Sequence, residues 1–159
     1  MSSSDTHVQG THRRSTDRPG SRSRGFTALL VIVYGIFAIS ATARSLVQIL
    51  RDFDAAPLAY SLSLLAAITY IAVTIALVRG RDGSGAALWL CILELLGVVS
   101  VGTLSLLAPS LFPDDTVWSV YGIGYAFVPL LLPLIAVPYL LRRRWQDEGR
   151  AATPDEHVA

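Results

Sequence analysis

Four apolar stretches, each close to the length that crosses a bilayer, fill residues 26–141, and arginines gather at alternate ends of them. An apolar helix needs roughly 20 residues to traverse the hydrocarbon core. The first stretch runs from Phe26 to about Leu50, with Arg44 near its far end. The second runs from Pro57 to Val78 without a charge. The third runs from Ala86 to Ala108 and holds Glu94, and the fourth runs from about Val117 to Leu141. Buried helices of a soluble protein would show polar faces, which these lack. The expected fold is all-α, an antiparallel four-helix transmembrane bundle with disordered cytoplasmic tails at residues 1–25 and 142–159.

The boundaries carry ordinary punctuation. Asp54-Ala55-Ala56-Pro57 ends one helix and starts the next, with proline at the helix start. Arg79 to Gly85 is glycine-rich and reads as a tight turn. Pro109 to Thr116 breaks the third span, and Asp115 or Thr116 is the expected N-cap of the fourth. Connections this short make consecutive helices antiparallel neighbours.

Arginine placement predicts the orientation. Arg13, Arg14, Arg18, Arg22 and Arg24 precede span 1, Arg79 and Arg81 follow span 2, and Arg142, Arg143, Arg144 and Arg150 follow span 4. With four spans these segments share one side, and the opposite side holds only Arg51 and Arg44. The positive-inside rule puts that arginine-rich side, and both termini, in the cytoplasm of a plasma membrane. Net charge is only +1, so the local asymmetry carries the signal rather than the sum.

The tails have little to bury. Residues 1–25 are rich in Ser, Thr, Arg, Gly and Pro, a composition that predicts disorder. Their five arginines are expected to meet anionic lipid headgroups, at about 1 kcal/mol each near the surface. Nucleic acid is not an expected partner, because the tail is short and lacks interleaved aromatics. A rival reading makes residues 26–40 a signal segment cleaved at Ala41-Thr42-Ala43, with Arg13-Arg14 as a twin-arginine start. Against it, Arg13-Arg14 lies far ahead of the apolar run, and helical patterning continues through Leu46, Val47, Ile49 and Leu50.

Within the spans, Glu94 is the candidate functional residue. An intramembrane acid is costly, so it faces the bundle interior and finds a partner. At 1.5 Å per residue it lies about 12 Å from the cytoplasmic edge, and Tyr34 and Tyr70 fall at a similar depth. The faces agree with the depths. Tyr60, Ser63, Ala67, Tyr70 and Thr74 share one side of span 2, and Thr27, Tyr34, Ala38, Ala41, Ser45 and Gln48 share one side of span 1. Ala87, Cys91, Glu94, Val98, Gly102 and Ser105 do so on span 3. Small and polar stripes of this kind are where membrane helices pack closely. Glu94 is therefore expected to hydrogen-bond Tyr34, Tyr70 or both, as a neutral acid joining helices, because desolvation penalises the charged form. Proton-coupled binding is the functional alternative. Arg44 lies about 15 Å nearer the outer surface by the same count and is expected to snorkel outward rather than pair with Glu94.

Other chemistry is excluded or weak. Cys91 is the only cysteine, so the chain alone offers no disulfide, CxxC pair or structural zinc site. His7, His12 and His157 all lie in the tails, which leaves no histidine ligand for haem in the spans. Asp52, Asp54, Asp114 and Asp115 read as solvated loop acids rather than cation ligands. No cofactor, metal or catalytic set is expected. Pro129, Pro133 and Pro138 in span 4 suit either a broken transporter helix or an ordinary span whose neighbours satisfy the freed carbonyls.

Residues Phe53 to Tyr60, Glu94 to Leu104 and Phe112 to Trp118 resemble small four-helix integral membrane proteins of actinobacteria. That resemblance implies a plasma-membrane location and brings no activity or site residues. Small multidrug exporters are a poor match, because their essential Glu lies in the first helix. The expected function is a non-enzymatic accessory or structural component of a membrane complex, joined to its own copies or to another subunit. The alternative is a small proton-coupled carrier or channel using Glu94.

Overall fold

The structure is a computed structural model of the 159-residue chain and describes residues 19–80 and 84–151. The expectations for residues 1–18 and 152–159, including the contacts of Arg13, Arg14 and Arg18 with lipid, lie outside the described residues, as does the side chain of Arg22. Four α-helices occur, α1 Pro19–Asp52, α2 Pro57–Val78, α3 Ser84–Leu107 and α4 Val128–Ala151. Three short 3-10 segments, Phe53–Ala55, Pro109–Leu111 and Ser119–Tyr125, join them, and no strand is present among the described residues.

Three helices are long and apolar enough to cross a membrane, or four if Ser119–Tyr125 and α4 together make one span bent by 104°. Burial supports a lipid environment independently of length. The core is made largely of Ala, Tyr, Ser and other small or polar-tipped residues, with Ala59, Ala66, Ala87, Tyr34, Tyr70 and Ser45 all at zero exposure. Large aliphatic side chains such as Ile32, Ile36, Ile39, Leu93 and Leu96 point outward and are exposed. In water so much exposed apolar surface would drive association. In lipid it is solvated, while small residues let helix backbones approach.

Helices α2 and α3 begin and end within two residues of the expected spans. Helix α1 starts at Pro19, earlier than the apolar run, so residues 19–25 are helical where disorder was expected. Proline suits a first helical position because its missing N–H needs no partner there. At the other end, α4 carries the helix through residues 142–151, the first part of the polar tail, with Arg144 paired to Glu148 at 3.8 Å one turn on.

The fourth span departs most from expectation. Instead of one helix from about Val117, residues 116–127 form a compact non-α-helical segment, and the α-helix starts only at Val128. Thr116 does not cap an α-helix; its hydroxyl accepts from the Trp118 N–H at 3.1 Å and holds a tight turn. Val120, Tyr121 and Gly122 are left-handed, with φ of 48°, 58° and 81°, followed by Ala126 and Phe127 at 53° and 59°. A β-branched residue such as Val120 rarely adopts this conformation, which marks the segment as strained. Pro129 falls in the first turn of α4, where its ring kinks nothing.

Contacts fix how deep this segment goes. Tyr125 packs on Phe37 of α1 with ring centroids 5.9 Å apart, and Tyr139 of α4 packs on Phe26 at 4.6 Å. Helix α4 thus begins level with Phe37, the middle of α1's apolar run, and reaches its end at Phe26. From Val128 to Tyr139, α4 advances only about 16 Å, roughly half the thickness of a bilayer's hydrocarbon core.

Candidate functional site

Three helices, α1, α2 and α3, meet around Glu94. It projects from α3 with zero exposure, one turn after Cys91, which is also fully buried. From α1, the Tyr34 hydroxyl donates to Glu94 Oε2 at 2.8 Å. The same hydroxyl lies 3.6 Å from Cys91 Sγ. Glu94 Oε1 is buried without a hydrogen-bond partner. A carboxyl oxygen left without a partner is costly in a packed, low-water site, and the site is packed: Tyr34 and Tyr70 rings stand 6.2 Å apart beside it.

Tyr70 joins the cluster through its ring, while its hydroxyl goes elsewhere. The indole N–H of Trp118 donates to Tyr70 Oη at 3.0 Å. A direct Glu94–Tyr70 hydrogen bond, one of the arrangements expected from the sequence, does not form; Tyr34 takes the role by itself. Trp118 had no place in the sequence reading of the site, because a continuous span 4 puts it at the outer surface. The signal that could have found it is on α3. A Cβ at Gly97 would stand 2.7 Å from the Trp118 ring, and one at Gly102 would stand 2.6 Å from the Tyr121 ring. Two glycines on one helix, facing an aromatic-rich segment, form a seat for it.

The 116–127 segment thus plugs the bundle from the side opposite the arginine-rich ends. Its tryptophan and two tyrosines are tied down. Tyr121 shares a hydrogen bond with Thr103 at 3.0 Å, and the Val120 N–H donates to Ser105 Oγ at 2.8 Å. Arg44 fastens the segment at its Asp115 end, donating to the Asp115 carbonyl at 2.8 Å and to Tyr125 Oη at 3.3 Å. Gln48 donates to Asp114 Oδ2 at 3.1 Å. Arg44 makes no pair with Glu94, and it ends on protein oxygens of the plug, with its Nε buried and unpaired.

No group of three or more His, Cys, Asp or Glu residues able to hold a metal occurs among the described residues. The comparisons with known proteins add nothing to this geometry: no protein-family model, curated protein or solved structure matches the chain.

The Tyr34–Glu94 bond gives a direct prediction. Tyr34→Phe keeps the ring packing and removes the only described donor to the carboxyl. Intramembrane hydrogen bonds average about 0.6 kcal/mol and reach about 1.7. Burial on both sides places this one near the upper figure, so unfolding in a sodium dodecyl sulfate titration should shift by about 1.5 kcal/mol. A shift no larger than that of Tyr139→Phe, at the half-buried rim, would show that the bond contributes nothing special.

Proposed function

We propose that the chain is a multi-pass plasma-membrane protein, with both termini cytoplasmic, that serves as a non-enzymatic accessory or structural component of a membrane complex. In this reading its four spans form an antiparallel bundle, the fourth entered through the plug. The observation that carries it is the enclosure of Glu94. The acid is fully buried and accepts a hydrogen bond from Tyr34 of α1, whose ring stands beside Tyr70, and Tyr70 in turn is bonded by Trp118. A neutral acid in that position acts as interhelical glue, and its energetic return is a fixed arrangement of helices. What such a body offers to others is its outer surface. Family membership with the actinobacterial four-helix proteins it resembles fits this reading.

Purification of the full chain in a mild neutral detergent tests it. A stoichiometric membrane partner or a homo-oligomer is the expected result, and a lone monomer under every mild condition would argue against it.

A second reading, a small proton-coupled carrier or channel, draws on the broken fourth span. Half-helices that start in mid-membrane line the sites of many transporters, and short 3-10 stretches often act as hinges. Glu94→Gln separates the two. As an accessory protein, the Gln variant folds and assembles like the parent, and neither drives proton flux in sealed vesicles. A carrier instead shows substrate-dependent proton flux that the Gln substitution abolishes. Cys91 supplies a second readout, because it lies one turn from Glu94 and is the only thiol. Membrane-impermeant thiol reagents should fail to label it from either side unless the site opens to water.

A further inference from the structure

A groove of about 430 Å³ opens on the flank of the bundle at its arginine-rich end. Its floor is apolar, formed by Ala28, Val31 and Ile32 of α1 and Leu77 of α2. Arg24 of α1 and Arg143 of α4 stand at the same mouth. No acidic residue lines it among the described residues. Arg144, the next residue along, pairs with Glu148, while neither Arg24 nor Arg143 takes part in a salt bridge among the described residues. Gly80 ends α2 in a left-handed conformation, φ 66°, and brings no side chain into the opening.

The two halves of the groove ask for different chemistry in one ligand. The floor runs along membrane-spanning helix and suits a hydrocarbon chain. The mouth holds two guanidiniums that come from helices far apart in sequence, and guanidinium matches phosphate oxygens in a bidentate way. Basic pockets between spans on the cytoplasmic side are known places for anionic headgroups. We propose that this groove binds an anionic phospholipid, with an acyl chain along the α1–α2 floor and the phosphodiester between Arg24 and Arg143. The inference rests on the membrane-spanning reading above, which alkaline extraction of membranes tests separately: a spanning protein stays in the pellet.

The full chain, purified in neutral detergent, is equilibrated with phosphatidylglycerol and phosphatidylcholine of matched acyl chains, and bound lipid is counted by native mass spectrometry. The wild type should retain phosphatidylglycerol in preference. Arg24→Gln combined with Arg143→Gln should weaken that retention by about twenty-five-fold, from roughly fivefold for each surface cation. Arg144→Gln should leave it unchanged. Ala28→Trp fills the floor without touching a charge and should also weaken it. Soluble glycerol phosphate at equal concentration should not displace the lipid. Equal retention of the two lipids would overturn the proposal. So would an equal loss from Arg144→Gln, which would reveal diffuse surface charge, or indifference to Ala28→Trp. Displacement by glycerol phosphate would identify a free-phosphate site instead.

Discussion

Trp118→Ala should cost about 3 kcal/mol of stability and make Cys91 reactive toward small thiol reagents. Trp118 is almost fully buried, in contact with Gly97 on one side and bonded to Tyr70 through its indole N–H. Truncating a buried tryptophan costs about 3–5 kcal/mol in soluble cores. Part of that figure is transfer of apolar surface out of water, which weakens when the alternative surroundings are lipid. The lost dispersion contacts and the cavity remain, so the lower end of the range applies. Trp118→Phe keeps most of the ring contact and gives up the hydrogen bond, worth about 0.6 and at most about 1.7 kcal/mol in membranes. Packing therefore outweighs hydrogen bonding in holding the plug, and the Ala variant should lose clearly more than the Phe variant. Detergent unfolding measures both losses, and the labelling rate of Cys91 reports whether the cover over Glu94 has opened. Equal losses for Ala and Phe would assign the plug to its hydrogen bond. An unreactive Cys91 in the Ala variant would mean that Trp118 is no cover at all.

The same two forces explain how far the sequence could be followed. Helices α2 and α3 were legible almost to the residue, because an uninterrupted apolar run bounded by Pro57, Arg79, Ser84 and Pro109 leaves no other structure for the backbone in lipid. The buried faces were legible too. Ser63, Ala67 and Tyr70 on α2, and Cys91, Glu94 and Val98 on α3, all lie inside. Hydropathy failed at the fourth span, since it measures the cost of side chains in lipid and is blind to the path of the backbone. Residues 117–141 pass any test of length and polarity. Their interruption depends on Gly122 at φ 81°, with Pro129 so close that a Cβ on Gly122 would stand 2.7 Å from its ring. That contact is tertiary in effect and leaves only a faint local trace, a glycine followed seven residues later by a proline.

The partner of Glu94 was half legible for a related reason. Counting residues along regular helices brought Tyr34 and Tyr70 to the right depth. Choosing between them required knowing where the Tyr70 hydroxyl lies, which is against the Trp118 indole, and Trp118 comes from the one element whose depth could not be counted. Helix α1 shows the opposite limit. An apolar run defines the part of a helix inside the membrane, but nothing in Arg22 or Arg24 stops the helix from continuing to Pro19, so its start was missed.

Gly102→Ala should destabilise the protein by about 1–3 kcal/mol, while Gly35→Ala should be neutral or stabilising. Each replacement adds the same methyl to a membrane-spanning helix, and each gains about 0.5–1 kcal/mol from reduced backbone freedom. The surroundings decide the sign. At Gly35 no atom lies within 4 Å of the new Cβ, so the gain survives. At Gly102 the Cβ meets Tyr121 Cδ1 at 2.6 Å and the Tyr121 backbone nitrogen at 2.8 Å. A ring can rotate away, but a backbone nitrogen moves only with its segment. The plug must lift from α3, and it takes with it the Thr103–Tyr121 and Ser105–Val120 hydrogen bonds, at 3.0 and 2.8 Å. Overpacking contributes about 1–3 kcal/mol and the two bonds about 0.6 each. Val120 and Tyr121 hold left-handed backbone only because these contacts impose it, so their release lets the segment relax and offsets part of the loss. Parallel detergent unfolding of the two variants reads the difference. A common sign for both would mean that the plug does not depend on the glycine seat, and that its strained turn is held from the Arg44 and Gln48 side instead.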